Sequence, residues 1–206
     1  DLDGFYKWLI AEEIKLKAIY KMGTFEIVDL PPGVFPLPSR FTYKIKRNSN
    51  RAIAKLKALL VARWDMQAED EYSTTFAPTS RFTAIRTLIS IATQERMTLK
   101  HWDITGAFMT ADIDTDIYMD LPPWYHLPPG KTIKLKKSLY GLCRSPGLFH
   151  DTLEEWLINY GFKPINEEGT IFKLVRGSEQ VLLSLFVDDL LCATNSESLY
   201  LSLIHI

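Results

Sequence analysis

The sequence predicts an α+β fold in which helices pack against an antiparallel sheet. Three segments carry apolar residues at helical spacing, about residues 5–22, 82–92 and 146–160. The strand candidates between them come largely in pairs that short polar turns connect. The chain has 206 residues and is 47% hydrophobic and 12% aromatic, which is enough to form a core and excludes wholesale disorder. A chain of this length forms one large domain or two small ones.

The first helix is predicted to end at Gly23, and a short strand over residues 24–28 follows it. The next strand candidate is Phe41–Arg47, where apolar and basic residues alternate with the period of a half-buried strand. Asn48–Asn50 has turn chemistry, and residues 52–63 complete a hairpin as the returning strand.

The second half of the chain continues with two more helices. Ser80 precedes a helix pattern whose apolar face consists of Phe82, Ile85, Leu88, Ile89 and Ala92. Strand candidates follow at residues 98–104 and 133–139. Ser145-Pro146 favours the start of the third helix, as a cap followed by a proline at the first helical position, and Gly161 ends that helix.

The last part of the chain predicts a hairpin and a returning strand. Residues 171–175 and 181–187 are strand candidates on either side of the turn Arg176–Glu179. Asp188-Asp189 interrupts the second of them, and Leu190–Ala193 returns. We therefore expect the two aspartates to lie at a tight turn.

Several classes of protein and site are excluded. Cys143 and Cys192 lie far apart, which fits neither a disulfide scaffold nor a metal knuckle and favours a reducing compartment. There is no apolar run of about 20 residues, and the acidic start of the sequence is unlike a signal peptide. The aspartates 112, 114 and 116 alternate as in a calcium loop, but the required glycine is missing at Ile117. The four histidines show no pair at metal-ligand spacing, so we interpret His150 as a surface or hydrogen-bonded residue.

The chemistry of the chain centres on Asp188-Asp189, which lies between two apolar runs. Adjacent carboxylates repel each other, and a divalent cation would supply the missing counter-charge. A polar hairpin turn without any ligand is the alternative. Asp103 ends another strand candidate in similar surroundings, and strands that present carboxylates at one end of a sheet can share two hard cations. Spacing alone does not place Asp103 beside Asp188.

Seven sequence blocks resemble the reverse transcriptase domain of Ty1/copia-type LTR retrotransposon polyproteins. They occur in family order between about Ile10 and Asn195, and together they are far more specific than any one block. The blocks are Gly23–Pro31, the basic hairpin with Tyr43–Arg47 and Lys57–Arg63, Thr75–Thr83, Asp103–Phe108, Ile117–Pro123, Leu135–Leu142 and Phe186–Leu191.

The resemblance implies a right-hand polymerase fold with fingers, a palm and no thumb in this stretch. The fingers would comprise roughly residues 20–97 and 120–145, the palm roughly residues 98–119 and 146–195, and residues 196–206 form an unmatched tail. The implied reaction is RNA-directed DNA synthesis, in which a primer 3′-hydroxyl attacks the α-phosphate of a deoxynucleotide and pyrophosphate leaves. Asp103, Asp188 and Asp189 would be the catalytic residues and would hold two Mg²⁺ ions, with Mn²⁺ as an alternative.

The same resemblance implies a nucleotide-binding set of five residues. Phe108 matches an aromatic gate against the nucleotide 2′-hydroxyl, Tyr140-Gly141 lines the nucleotide pocket, and Lys57 and Arg63 would meet the triphosphate or the template backbone. Core packing is the alternative for Phe108 and Tyr140, and a solvated strand face is the alternative for Lys57 and Arg63.

The implied partners are an RNA template, a DNA primer, a deoxynucleotide and the thumb, ribonuclease H and integrase parts of a polyprotein. The implied location is cytoplasmic, within retrotransposon particles, or nuclear, with no membrane association. One departure matters most: Leu59 stands where the family usually has an arginine, and leucine cannot replace a bidentate donor. An inactive, truncated, nucleic-acid-binding remnant is therefore the rival interpretation, and a metal-dependent phosphatase or nuclease is a third.

The formal net charge of −1 is a sum over segregated blocks. Residues 43–63 hold seven cations and no acid, residues 131–144 hold five more, and residues 102–120 hold five aspartates and no cation. The two basic blocks are expected to suit phosphate backbones, and the acidic block needs metal or solvent.

Overall fold

The computed structural model describes residues 2–66 and 77–204. Thr75 and Phe76 of the third sequence block, and the last two residues of the tail, lie outside the described residues. The helices are α1 (Leu2–Lys21), α2 (Phe82–Gln94), α3 (Ser145–Tyr160) and α4 (Glu197–Ile204). The strands are β1 (Phe25–Asp29), β2 (Ser39–Arg47), β3 (Ile53–Ala62), β4 (Thr98–Asp103), β5 (Tyr118–Met119), β6 (Lys131–Leu135), β7 (Lys163–Pro164), β8 (Ile171–Arg176), β9 (Glu179–Phe186) and β10 (Asp189–Thr194).

The chain divides into two compact units. In the described part, the first unit comprises residues 2–66 and 108–148, and the second comprises residues 77–107 and 149–204. The result is a mixed α/β protein with several antiparallel sheets, as the sequence predicts. No helix within the described residues is long and apolar enough to cross a bilayer.

The first unit is built around the β2–β3 hairpin and a three-stranded sheet in the order β1-β6-β5. Alternation along β3 buries Ala58, Leu60 and Ala62 on the face that α1 covers and leaves Lys55 and Lys57 exposed on the other. Strand β6 begins two residues before the predicted strand over residues 133–139 and ends four residues before it. The regular ladder ends because the N–H groups of Lys136 and Lys137 both donate to the Thr24 carbonyl.

A buried carboxylate ties α1 to the rest of the first unit. Glu12 is only 3% exposed, and its two oxygens accept three hydrogen bonds. The Tyr43 hydroxyl donates at 2.5 Å, the Trp124 indole N–H at 3.0 Å and the Tyr125 hydroxyl at 3.2 Å. A buried carboxylate requires such donors because it has lost its water.

The second unit is a five-stranded antiparallel sheet in the order β4-β10-β9-β8-β7. Helix α2 packs on β9 and β10, where Leu88 and Ala92 contact Leu182 and Ala193. The predicted apolar face of α2 is wrong at its edges, since Phe82 is 76% exposed and Ile89 is 39% exposed. The helix is rotated so that the i, i+3, i+4 set of Leu88, Ile91 and Ala92 faces the sheet.

The span of α3 is as predicted, and the helix is followed by Gly161, whose φ of 110° is left-handed. Ser145 is the first residue of α3, and its hydroxyl donates to the Leu139 carbonyl. Ser80 precedes α2, and its hydroxyl donates to the Thr170 carbonyl and accepts a hydrogen bond from Ser184. The tail beyond Asn195 contains α4, with Leu199 and Leu203 buried.

Candidate active site

The Asp188-Asp189 pair lies at the turn between β9 and β10. Phe186 pairs with Asp189, so Val187 and Asp188 are the two turn residues. Val187 has a φ of 57°, which is the left-handed region that a β-branched residue rarely adopts. Such backbone costs about 1–3 kcal/mol and is concentrated at functional sites in proteins, so the turn is a candidate for function on its conformation alone.

Asp103 reaches this turn because β4 pairs with β10. Its backbone pairs directly with that of Asp189, and the N–H of Ile104 donates to the carbonyl of Asp188 at 3.1 Å. Side chains of directly paired residues in an antiparallel ladder lie on the same face of the sheet. The structure therefore brings all three predicted aspartates to one end of one sheet, within the second unit.

Negative charge is concentrated at this end of the sheet. Asp103 and Asp189 carry like charges in directly opposed positions, and Nε2 of His101 lies 3.1 Å from Oδ1 of Asp189. The side chains of His101 and Asp189 are 64% and 51% exposed, so the site is open to solvent. Exposed carboxylate oxygens are the ligands that Mg²⁺ prefers, and the three residues fit such a cation. Ligand oxygens of Asp103, Asp188 and Asp189 do not all lie within 4.8 Å of one another in the described structure. Binding of a cation would therefore require these side chains to move closer together.

The predicted pocket segment Tyr140-Gly141 lies across the end of β3 in the first unit. The N–H of Ala62 donates to the Tyr140 carbonyl at 2.9 Å. Gly141 has a φ of 91°, and a Cβ at this position would lie 2.2 Å from the Ala62 carbonyl oxygen and 2.5 Å from Cγ1 of Val61. This close approach of two backbones requires glycine.

Phe108 packs against Tyr140, with 4.5 Å between the ring centroids. Phe108 is only 8% exposed. The structure thus gives Phe108 a packing partner in the first unit, and its role as a nucleotide gate stays a prediction.

Lys15 lies beside the predicted pocket residue Tyr140, and the sequence did not indicate it. Its Nζ lies 5.7 Å from the centre of the Tyr140 ring and 3.9 Å from Sδ of Met109. Burial, and then repulsion from Lys57, lower the pKa of Lys15. The sequence contained one weak indication that Lys15 is partly buried. It is four residues from both Ala11 and Ile19, which lie on the buried face of α1.

The β2–β3 hairpin concentrates positive charge. Lys44 pairs directly with Lys57, and Lys46 with Lys55. Within the described part of the chain these four lysines have no carboxylate partner. Directly opposed like charges destabilise a hairpin, so their presence favours an anionic ligand.

Arg63, the other predicted cation of the hairpin, is held by Asp65. Its Nε and Nη2 lie 3.0 Å and 2.6 Å from the two carboxylate oxygens. This hydrogen bonding raises the pKa of Arg63 and lowers the pKa of Asp65. Lys57 therefore has no carboxylate partner among residues 2–66 and 77–204, whereas Arg63 would have to leave Asp65 to bind a phosphate.

A family model for reverse transcriptase (RNA-dependent DNA polymerase) matches residues 22–202, which include the three aspartates and the hairpin. The chain belongs to the reverse transcriptase family. The match extends seven residues past Asn195, into α4.

Curated relatives place the chain among Ty1/copia-type polyproteins within the reverse transcriptase family. It is 27% identical over 92% of its length to the retrovirus-related Pol polyprotein from transposon TNT 1-94 of Nicotiana tabacum. It is 29% identical over 94% of its length to that from transposon RE1 of Arabidopsis thaliana. It is 35% identical over 74% of its length to the truncated transposon Ty1-A Gag-Pol polyprotein of Saccharomyces cerevisiae. The matched regions are 14%, 13% and 12% of these relatives, so the chain spans about one eighth to one seventh of their length.

The second basic block of this reverse transcriptase domain differs from the β2–β3 hairpin. Each of its five cations is paired with an acid of the same unit, and its role in binding a phosphate backbone stays a prediction. The pairs are Lys131–Asp29, Lys134–Asp116, Lys136–Glu26, Lys137–Asp112 and Arg144–Asp114. The same pairs explain the alternating aspartates 112, 114 and 116, which meet three separate cations rather than one calcium ion.

Proposed function

We propose that this chain is an RNA-directed DNA polymerase domain of a copia-type retrotransposon and that Asp103, Asp188 and Asp189 are its catalytic residues. The supporting observation is the β4–β10 register, which pairs Asp103 with Asp189 and hydrogen-bonds Ile104 to Asp188. Family membership gives the reaction class, the transfer of a nucleotide from a deoxynucleoside triphosphate to a primer 3′-hydroxyl.

The three carboxylates would hold two Mg²⁺ ions, or Mn²⁺ in their place. Such ions lower the pKa of the attacking hydroxyl and offset the charge that develops on the phosphate oxygens. The chain supplies the anionic ligands and a fixed backbone. The ladder positions Asp103 and Asp189, and the strained turn at Val187 positions Asp188.

The first unit would bind the nucleotide and the template. Lys57 and the other hairpin lysines offer charge that no described carboxylate pairs with, and Phe108 packs on Tyr140 beside Lys15. We assign the fingers role to this unit and the palm role to the unit that carries the triad. In this assignment α2 belongs to the palm unit, although the sequence boundaries place it in the fingers.

The partners in this proposal are an RNA template, a DNA primer, a deoxynucleotide and the other parts of a Pol polyprotein, namely a thumb, ribonuclease H and integrase. The relatives are polyproteins about seven times longer than the matched region, which supports the last group. The proposed location is the cytoplasmic retrotransposon particle or the nucleus.

An inactive nucleic-acid-binding remnant is the second candidate. It is favoured by Leu59, which leaves the hairpin without the family's usual arginine, and by the pairing of Arg63 with Asp65. Both candidates predict binding of primed RNA, but only a polymerase incorporates nucleotides.

The test is deoxynucleotide incorporation on a primed RNA template, with binding of the same template measured in parallel. We expect incorporation by the parent chain, a loss of at least about 10³-fold in Asp188→Asn, and unchanged template binding in that variant. Asp120→Asn removes an exposed carboxylate outside the triad and should retain activity. Template binding without incorporation by the parent chain would establish the remnant instead.

A further inference from the structure

A second group of potential metal ligands lies on α3, away from the triad sequence. His150 is 8% exposed, and its Nε2 lies 3.0 Å from the carbonyl oxygen of Gly169. A carbonyl oxygen only accepts hydrogen bonds, so Nε2 carries the proton. In the neutral ring, Nδ1 therefore has its lone pair free, and this buried atom has no hydrogen-bond partner.

Two carboxylates face the unpartnered nitrogen. Asp151 Oδ1 lies 3.6 Å from Nδ1, and Glu154 Oε2, one helical turn further along α3, lies 3.9 Å from it. These distances are too long for hydrogen bonds. They are close to the separation of about 3.4 Å between ligands at tetrahedral metal bonds of about 2.1 Å. Among the His, Cys, Asp and Glu side chains of the described residues, these three form the group whose ligand atoms all lie within 4.8 Å of one another.

The loop before β8 positions His150 and lies against Glu154. Gly169 accepts the His150 hydrogen bond, and the Glu154 carboxylate lies directly over it, where a Cβ would come within 2.8 Å of Oε1. The loop is itself held by Asn166, whose carbonyl and side-chain oxygens accept hydrogen bonds from the backbone N–H groups of Gly169 and Thr170. Orientation of a ligand histidine by a backbone carbonyl is the usual second layer of a protein metal site.

We propose that Nδ1 of His150 and the carboxylates of Asp151 and Glu154 bind a divalent transition metal of the Zn²⁺ type. One imidazole nitrogen with two carboxylates suits Zn²⁺, whereas Mg²⁺ prefers oxygen ligands alone and retains several waters. Asp151 is 80% exposed, so a fourth position faces solvent. Bound Zn²⁺ would stabilise the second unit by fixing α3 to the loop at Gly169, and this role is independent of the proposed polymerase activity.

The test is a Zn²⁺ titration of the chelator-treated full chain in excess Mg²⁺, followed by calorimetry and by the thermal unfolding midpoint. We expect one site, a Zn²⁺-dependent rise in Tm, and affinity reduced by about tenfold or more in Glu154→Gln and in Asp151→Asn. Both are partly or fully exposed residues, so these variants avoid disrupting the core. Glu155→Gln, a change at the next position of α3, which is exposed, should bind Zn²⁺ as the parent chain does.

Two results would overturn this site. One is the absence of Zn²⁺ binding by the parent chain. The other is binding that survives in Glu154→Gln and Asp151→Asn but is lost in Asp188→Asn, which would assign the ion to the triad. Neither result bears on nucleotide incorporation, so failure of this proposal and failure of the polymerase proposal are separate outcomes.

Discussion

Asp103 and Asp189 form a directly opposed pair on the antiparallel strands β4 and β10. Two like charges in this position destabilise a ladder by about 0.2–1 kcal/mol. His101, 3.1 Å from Asp189, offsets this repulsion only when it is protonated. The pairing of two aspartates therefore lowers the stability of the folded state. Such a loss of stability is expected where a sheet carries a cation site.

The first prediction concerns this repulsion. Asp103→Asn should raise the free energy of unfolding by about 0.5 kcal/mol in the absence of divalent cations. Mg²⁺ should then stabilise the parent chain but not the variant, because only the parent retains the full set of carboxylates. Urea unfolding at neutral pH, with and without Mg²⁺, measures both effects. Asp120→Asn serves as the control, and a parent chain indifferent to Mg²⁺ would contradict the metal site.

The second prediction concerns the approach of Gly141 to β3. Gly141→Ala should lower the free energy of unfolding by about 3 kcal/mol, because the added Cβ meets the Ala62 carbonyl and Val61. Gly23→Ala is the matched control. Gly23 also has a positive φ, 64°, but no atom lies within 4 Å of the position that a Cβ would occupy there, so only about 1 kcal/mol of backbone strain is expected. Equal losses of unfolding free energy in the two variants would show that the contact of the added Cβ with β3 does not contribute to the destabilisation.

These residues show which features the sequence could predict. The hairpin β2–β3 follows from local alternation and turn chemistry, and β9–β10 follows from two apolar runs on either side of a polar pair, so the sequence predicts both hairpins. The neighbourhood of Asp103 and Asp189 depends on strands 86 residues apart in the chain, which no periodicity determines, and only the family resemblance suggested it. The surroundings of His150 also depend on residues that are distant in the sequence. The sequence predicts a surface or hydrogen-bonded residue, and the structure shows a buried one whose Nε2 hydrogen bond depends on the distant loop at Gly169.

The third prediction concerns Lys15 and depends on the proposed function. Lys15→Met removes the charge but keeps the length of the side chain, and we expect KM for the deoxynucleotide to rise by about tenfold while kcat changes little. Lys17→Met is the control, because Lys17 is 79% exposed and forms an ion pair with Glu13 on the same helix. Steady-state incorporation kinetics separate the two constants. A fall in kcat at constant KM would argue against phosphate binding by Lys15.

The fourth prediction concerns alkaline pH. Burial of the hydroxyl, together with the hydrogen bond to Glu12, raises the pKa of Tyr43 to about 12. Burial and the charge of Glu12 also raise the pKa of Tyr125 to about 12. An unfolded tyrosine titrates near about 10. Between these two values the folded state keeps protons that the unfolded state has lost, so stability must fall as pH rises.

The stabilisation from these two tyrosines is thus fully present below about pH 10 and is lost towards about pH 12. Tyr43→Phe should cost about 1–3 kcal/mol at pH 8, because Glu12 loses a donor, and should flatten the alkaline loss. Unfolding free energies at pH 8 and pH 11 test this expectation. Tyr20→Phe, at a residue that is 70% exposed, should leave both values unchanged.

The fifth prediction addresses the departure at Leu59, and it also depends on the proposed function. Leu59 is half-buried on β3, opposite Thr42 and on the same face as Lys57. Leu59→Arg would restore a bidentate donor beside Lys57, so we expect KM for the deoxynucleotide to fall several-fold. Leu59→Lys restores the charge without the planar fork and should give a smaller gain. If arginine and lysine act equally, the hairpin attracts the triphosphate by charge alone. If neither lowers KM, the face that carries Lys57 does not meet the nucleotide, and the fingers role of the hairpin fails.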